Sequence, residues 1–111
     1  RRAFRDSLIR HVEANSADPA LSVAAVAAHF RVSARYVHEV FAERGQSFAQ
    51  TVLERRLVAA AAALLEPGAT VTGVALACGF GDLSYFGRAF RRRHGCTPRE
   101  WRMQGGHTPS L

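Results

Sequence analysis

The sequence predicts an all-α domain of two helix-turn-helix units joined by one long central helix. Three observations predict it. Apolar residues recur at helical spacing with no convincing alternating run, helix-capping residues stand at regular stops, and the second half of the 111-residue chain repeats the first. At 12.1 kDa there is room for one domain or two very small ones.

Phe4, Leu8 and Val12, with Ile9 beside them, mark one face of an opening helix that stops near Asn15–Ser16 and Asp18–Pro19. Ser22 caps a short helix to about Phe30, with Val23, Val26 and Ala27 inward. After a tight turn Ser33 caps the next helix, which buries Val37, Val40 and Phe41 and ends at Gly45. Ser47 then caps the central helix through Phe48, Val52, Leu53, Leu57 and Leu64, and Pro67–Gly68 stops it. The pattern begins again with Thr72 as the cap of a short helix carrying Val74, Ala75 and Cys78, and Gly79 makes the turn. Asp82 caps a helix with Leu83, Phe86 and Phe90 inward, ending at Gly95. Thr97–Pro98 opens a last short helix through Trp101, with Pro98 at the first helical position, where its missing N–H costs nothing. These stops divide the chain into a first unit with the central helix at 1–66, a second unit at 67–104 and a frayed tail at 105–111.

The repeat is specific in register. Ala27 matches Ala75 and Val32 matches Phe80 at a separation of 48. Ser33 with Asp82, Tyr36 with Tyr85, Val37 with Phe86 and Phe41 with Phe90 follow at 49, then Gly45 with Gly95 and Ser47 with Thr97 at 50. Two copies are too few for a solenoid. A helix-turn-helix needs a small residue in its first helix so that the second can cross closely, and Ala27 and Ala75 supply it. It also needs apolar anchors on the second helix, here Val37/Phe41 and Phe86/Phe90.

Composition narrows the function. The chain carries 15 basic residues, all of them arginine, against 9 acidic ones, for a formal charge of +6 and a pI near 10.9. Guanidinium grips phosphate and guanine edges in a two-pronged way that ammonium cannot. Residues 1–66 hold nine arginines and seven acids, and residues 67–111 hold six and two, so the second half carries more of the surplus. Two cysteines make no disulfide framework and fit a reducing compartment, and no apolar run is long enough to span a bilayer. His94-Gly95-Cys96 lacks a second ligand pair at zinc spacing, and His11, His29 and His107 have no partners at motif spacing. Cys78 reads as core, Cys96 as a small turn residue and Trp101 as a plug closing the second unit. With no nucleophile–base motif and no phosphate-cradling glycine loop, the sequence points to neither enzyme, cofactor nor metal.

The stretch Gly79-Phe80-Gly81-Asp82-Leu83-Ser84-Tyr85-Phe86-Gly87-Arg88-Ala89-Phe90-Arg91-Arg92, followed by His94-Gly95-Cys96-Thr97-Pro98-Arg99-Glu100-Trp101-Arg102, resembles the signature of AraC/XylS transcription regulators. Leu21 to Phe41, then Gly45, Ser47 and Phe48, resembles that family's first helix-turn-helix. The resemblance implies about seven helices, double-stranded DNA as partner, contact with RNA polymerase and a bacterial, cytoplasmic setting. It also implies that an effector or dimerisation domain precedes Arg1 in the parent protein, and the isolated domain is expected to be a monomer.

In that family the exposed face of each second helix enters a major groove. Carried onto this chain, the face comprises Arg35, His38, Glu39 and Ala42 in the first unit, and Ser84, Tyr85 and Arg88, extended by Arg91 and Arg92, in the second. Arg88 leads as a base reader, since arginine to guanine is the commonest specific contact, and Arg35 follows. His38 suits a base or a phosphate. Glu39 suits cytosine N4 or a nearby arginine. Tyr85 suits a thymine methyl, a phosphate or the domain surface. The helix starts at Ser22, Ser47, Thr72 and Thr97, with Arg91 and Arg92, are the expected phosphate contacts. A central helix of about 18 residues is roughly 27 Å long, near the ~34 Å repeat of successive grooves. The rival reading is a helical protein-interaction module or one that holds nucleic acid without sequence choice. One position departs from the family: Arg31 stands where the second unit has Gly79, at a turn expected to need positive φ.

Overall fold

The computed structural model describes residues 2–106; His107 and the rest of the expected frayed tail beyond Gly106 lie outside the described residues. Among the described residues there are seven helices and no strand: α1 Arg2–Ala14, α2 Val23–Phe30, α3 Ala34–Ala42, α4 Phe48–Ala63, α5 Val71–Ala77, α6 Leu83–His94 and α7 Pro98–Met103. The chain divides into two compact units, 1–55 and 56–111, so the division falls inside α4, which the sequence expectation assigned whole to the first unit.

In the first unit, α1 presents Leu8, Ile9 and Val12 to α2 and α3, which contribute Val26, Ala27, Val37, Val40 and Phe41. Phe41 is fully buried and meets the ring of Phe48 edge-on at 5.6 Å between centroids. Burying one such side chain stabilises by roughly 2–3 kcal/mol, which makes this crossing the unit's anchor. Phe4 sits at the margin, 38% exposed, its ring edge-on to Phe30 at 5.7 Å. The second unit repeats the plan with Val74, Ala75, Phe80, Phe86, Ala89 and Phe90 buried. Trp101 closes that unit as expected: its ring packs edge-on against Phe90 and its indole N–H donates to the Ala61 carbonyl at 2.9 Å. Cys96 is 1% exposed, so it belongs to the core and is more than a small turn residue.

Caps account for most helix starts. The side chains of Ser22, Ser33, Asp82 and Thr97 accept from the backbone N–H groups of Ala25, Tyr36, Tyr85 and Glu100. Ser47 and Gln50 bond reciprocally, Ser47 N–H to Gln50 Oε1 at 2.8 Å and Gln50 N–H to Ser47 Oγ at 3.0 Å. Thr97 and Glu100 do the same at 2.9 and 3.1 Å. Thr72 is a correction: the cap of α5 is Thr70, whose hydroxyl accepts from Gly73 N–H at 3.0 Å, and Thr72 lies inside the helix. A Cβ at Gly73 would stand 2.8 Å from that hydroxyl, so glycine there keeps the cap open. Leu83 is a second correction. Its helical phase points inward, but it is the first residue of α6, beyond the end of the core, and is 46% exposed.

The two turns between paired helices carry the same hydrogen bonds. Arg31 N–H donates to Ala28 O at 3.3 Å and Val32 N–H to Ala27 O at 3.0 Å; Gly79 N–H donates to Leu76 O at 3.2 Å and Phe80 N–H to Ala75 O at 2.9 Å. Each pattern needs a left-handed residue, supplied by Gly79 at φ 100 and by Arg31 at φ 57, ψ 46. A non-glycine residue held there costs about 1 kcal/mol or more, so the departure seen in sequence leaves the turn intact at the expense of local strain.

Candidate nucleic-acid interface

Each second helix has one face fixed by burial, and the opposite face follows from helical periodicity. With Val37, Val40 and Phe41 buried, α3 turns Arg35, His38, Glu39 and Ala42 to solvent. With Phe86, Ala89 and Phe90 buried, α6 turns out Ser84, Tyr85, Arg88, Arg91 and Arg92. Every expected base-reading residue is therefore exposed, and the residues of each unit share one helix. Tyr85 is 43% exposed, with its ring 6.4 Å from that of Phe80.

The two faces differ in charge. On α3, Arg35 Nε lies 3.2 Å from Glu39 Oε2 in an i,i+4 pair, with the side chains 88% and 57% exposed. Such a pair contributes only a few tenths of a kcal/mol, so it restrains neither side chain strongly. Glu43, one turn further, pairs with Arg5 of α1 at 2.9 Å. The Tyr36 hydroxyl and then Glu43 raise the Arg5 pKa, holding that guanidinium charged and occupied. On α6 no acid follows Asp82: Arg88, Arg91, Arg92 and Arg93 continue without interruption to the C-terminal turn, where cations also favour the helix dipole.

The helix starts are not equivalent as phosphate contacts. At Ser22 and Ser47 no carboxylate stands in the first turn. At Thr97 the first turn already holds Glu100, whose carboxyl pKa is lowered by the Thr97 backbone N–H and then its hydroxyl. An ionised group at that end repels a second anion. Thr72, inside α5, offers no cap.

Sequence reasoning missed two features of the structure. Leu83 adds an exposed apolar side chain at the start of α6, and its position at a helix end, not its phase, was the available signal. His11 and His29, far apart in sequence, stack at 4.4 Å between ring centroids with Phe30 edge-on to both. Elsewhere, burial pushes the thiols of Cys78 and Cys96 up, away from the reactive thiolate. Among the described residues no helix is long and apolar enough to cross a membrane.

A tandem pair of helix-turn-helix units, each with an outward polar second helix, defines the chain as a double helix-turn-helix domain. The family described as "Helix-turn-helix domain" matches residues 26–104, more than half of the chain. The chain belongs to the AraC-type helix-turn-helix family of DNA-binding transcription regulators. It is 37% identical over 98 residues to the transcriptional activator RhrA of Rhizobium meliloti, an alignment covering 86% of this chain and 31% of that protein. A solved structure of a probable AraC family transcriptional regulator from Rhodopseudomonas palustris is 28% identical, with a TM-score of 0.80, covering 96% of this chain and 99% of that one. The DNA-binding domain of AdpA, solved in complex with a target DNA, shares the fold at a TM-score of 0.79 and 22% identity, covering 90% of each chain. The chain spans about a third of the length of the curated relatives it matches.

Proposed function

We propose that this chain binds double-stranded DNA sequence-specifically as the reading domain of a transcription regulator, with α3 and α6 entering successive major grooves of one asymmetric site. The observation that carries this reading is the duplicated register. Two capped helices bury equivalent anchors, Val37/Phe41 and Phe86/Phe90, and turn equivalent stripes of polar side chains to solvent. Arg88 reads a guanine through its O6 and N7, and Arg35, His38, Glu39, Ser84 and Tyr85 complete the base contacts. Arg91, Arg92 and the helix starts at Ser22 and Ser47 hold phosphates. The names of RhrA and of the Rhodopseudomonas palustris protein support transcription control as the setting. Contact with RNA polymerase, a cytoplasmic location, a monomeric domain and a separate effector domain in the parent protein belong to the same proposal.

The test is a duplex selected from a random pool, titrated beside a scrambled duplex over a series of salt concentrations. Specific reading gives a large affinity ratio at fixed salt and footprints in two grooves about one helical turn apart. Equal affinities with the same steep salt slope overturn it in favour of non-specific holding.

A further inference from the structure

The left-handed turn before α3 is built from a residue that the fold alone does not require. The equivalent turn closes with the same pair of hydrogen bonds around Gly79, so a glycine at position 31 serves the geometry with less strain. Arg31 is the only non-glycine residue at positive φ among the described residues. Its side chain is exposed, and its guanidinium makes no hydrogen bond or ion pair with any described residue. No side-chain contact within the unit therefore offsets the strain, and strain retained on an exposed charged residue points to a contact outside the chain.

Electrostatics of the first unit indicate which contact. The outward cation of α3, Arg35, faces Glu39, and Arg5 is taken by Glu43. The second unit has Arg88, Arg91 and Arg92 on its reading helix and a neutral glycine in its turn. The first unit instead places a cation with no partner among the described residues in the turn itself, two residues before the Ser33 cap of α3. A helix start already favours anions, and an arginine beside it adds a two-pronged donor for a phosphate.

We propose that Arg31 is a DNA-backbone contact, held left-handed so that its guanidinium takes a phosphate at the start of α3. This rests on the DNA-binding reading above. A phosphate contact carries no sequence information, so its loss weakens all duplexes alike. The experiment compares the wild type with Arg31→Gly and Arg31→Lys in thermal melting and in salt titrations with the selected and scrambled duplexes. Arg31→Gly is expected to melt higher by roughly 2–4 °C, because strain is relieved while chain entropy opposes it. It is also expected to bind both duplexes up to about tenfold more weakly, with the slope of log affinity against log salt reduced by about 0.9 and the selected-to-scrambled ratio unchanged. Arg31→Lys keeps the charge and the strain, and is expected to keep the slope and the melting temperature. An Arg31→Gly protein with wild-type slope and affinity overturns the proposal, as does a changed ratio, which would make Arg31 a base reader. A wild type that binds duplexes without preference overturns the sequence-specific reading instead, and a reduced slope in Arg31→Gly still supports the backbone contact.

Discussion

The first unit turns into its second helix through an arginine and the second through a glycine, and that exchange stands for a wider contrast. Both units share a turn, a crossing and a pair of apolar anchors. Their outward helices are electrically unlike, with α3 pairing Arg35 to Glu39 and α6 running Arg88, Arg91, Arg92 and Arg93 without an acid. Glu39 and Arg88 occupy the same register, 49 residues apart, with opposite charges. One scaffold thus carries two charge patterns: an uninterrupted cationic helix in one unit, and in the other a helix whose arginine is paired with a carboxylate.

The largest test of the comparison is in the cores, where the units should behave alike. Phe41→Ala and Phe90→Ala each remove a side chain with no exposure, and each is expected to cost about 3–5 kcal/mol in denaturant unfolding. A cost in only one unit would break the equivalence. On the surface they should differ: Arg88→Ala is expected to relax one base pair and lose about 1–3 kcal/mol of binding, while Glu39→Gln raises affinity for scrambled duplexes. Arg88→Ala with unchanged sequence preference would remove the second unit's leading reader. In the turns, Gly79→Ala is expected to destabilise by about 1–3 kcal/mol, because Gly79 is buried at φ 100, further from any conformation an alanine adopts than Arg31 at φ 57.

The smallest expected effect separates the units by pH. Burial, and then the charge of His29, hold the His11 imidazole below its ordinary 6.5. The folded first unit therefore binds fewer protons than the unfolded chain. Its stability is complete above about 6.5 and falls as pH drops through the lower folded value. In the second unit the Thr97 backbone N–H and hydroxyl hold Glu100 below its ordinary 4.5, so the capping contribution is present above that value and is lost as pH falls through the folded one. Melting temperatures followed into acid should lose their first decline in His11→Phe and the later one in Glu100→Gln. A single shared decline unaffected by either substitution would contradict the separation.

Much of this was legible in the sequence because caps and anchors are local. Ser22, Ser33, Ser47, Asp82 and Thr97 each announce a helix within four residues, and the repeat checks the register of one half against the other. Thr70 and Thr72 show the limit: both suit a cap, and only the path of the chain into Val71 chooses between them. Leu83 shows another, since periodicity knows the angle around a helix but not where the core ends. The His11–His29 stack and the Arg5–Glu43 pair arise from helices meeting in space, which no spacing along the chain reports. The outward faces were legible as positions, and a nearby arginine was one of the partners the sequence offered Glu39; which arginine it is, Arg35 one turn before it, is what the structure adds.

The shared register has a consequence for divergence after duplication. Because the buried anchors of α3 and α6 match at a single offset and the preceding turns carry the same bonds, the solvent-facing positions of either helix are free to drift without disturbing what holds it. The chain behaves as two sockets of one pattern with different inserts. Transplanting Ser84, Arg88 and Arg91 onto positions 35, 39 and 42 would ask one socket to accept the other's lettering, and a folded, re-addressed protein is the outcome this architecture leads us to expect.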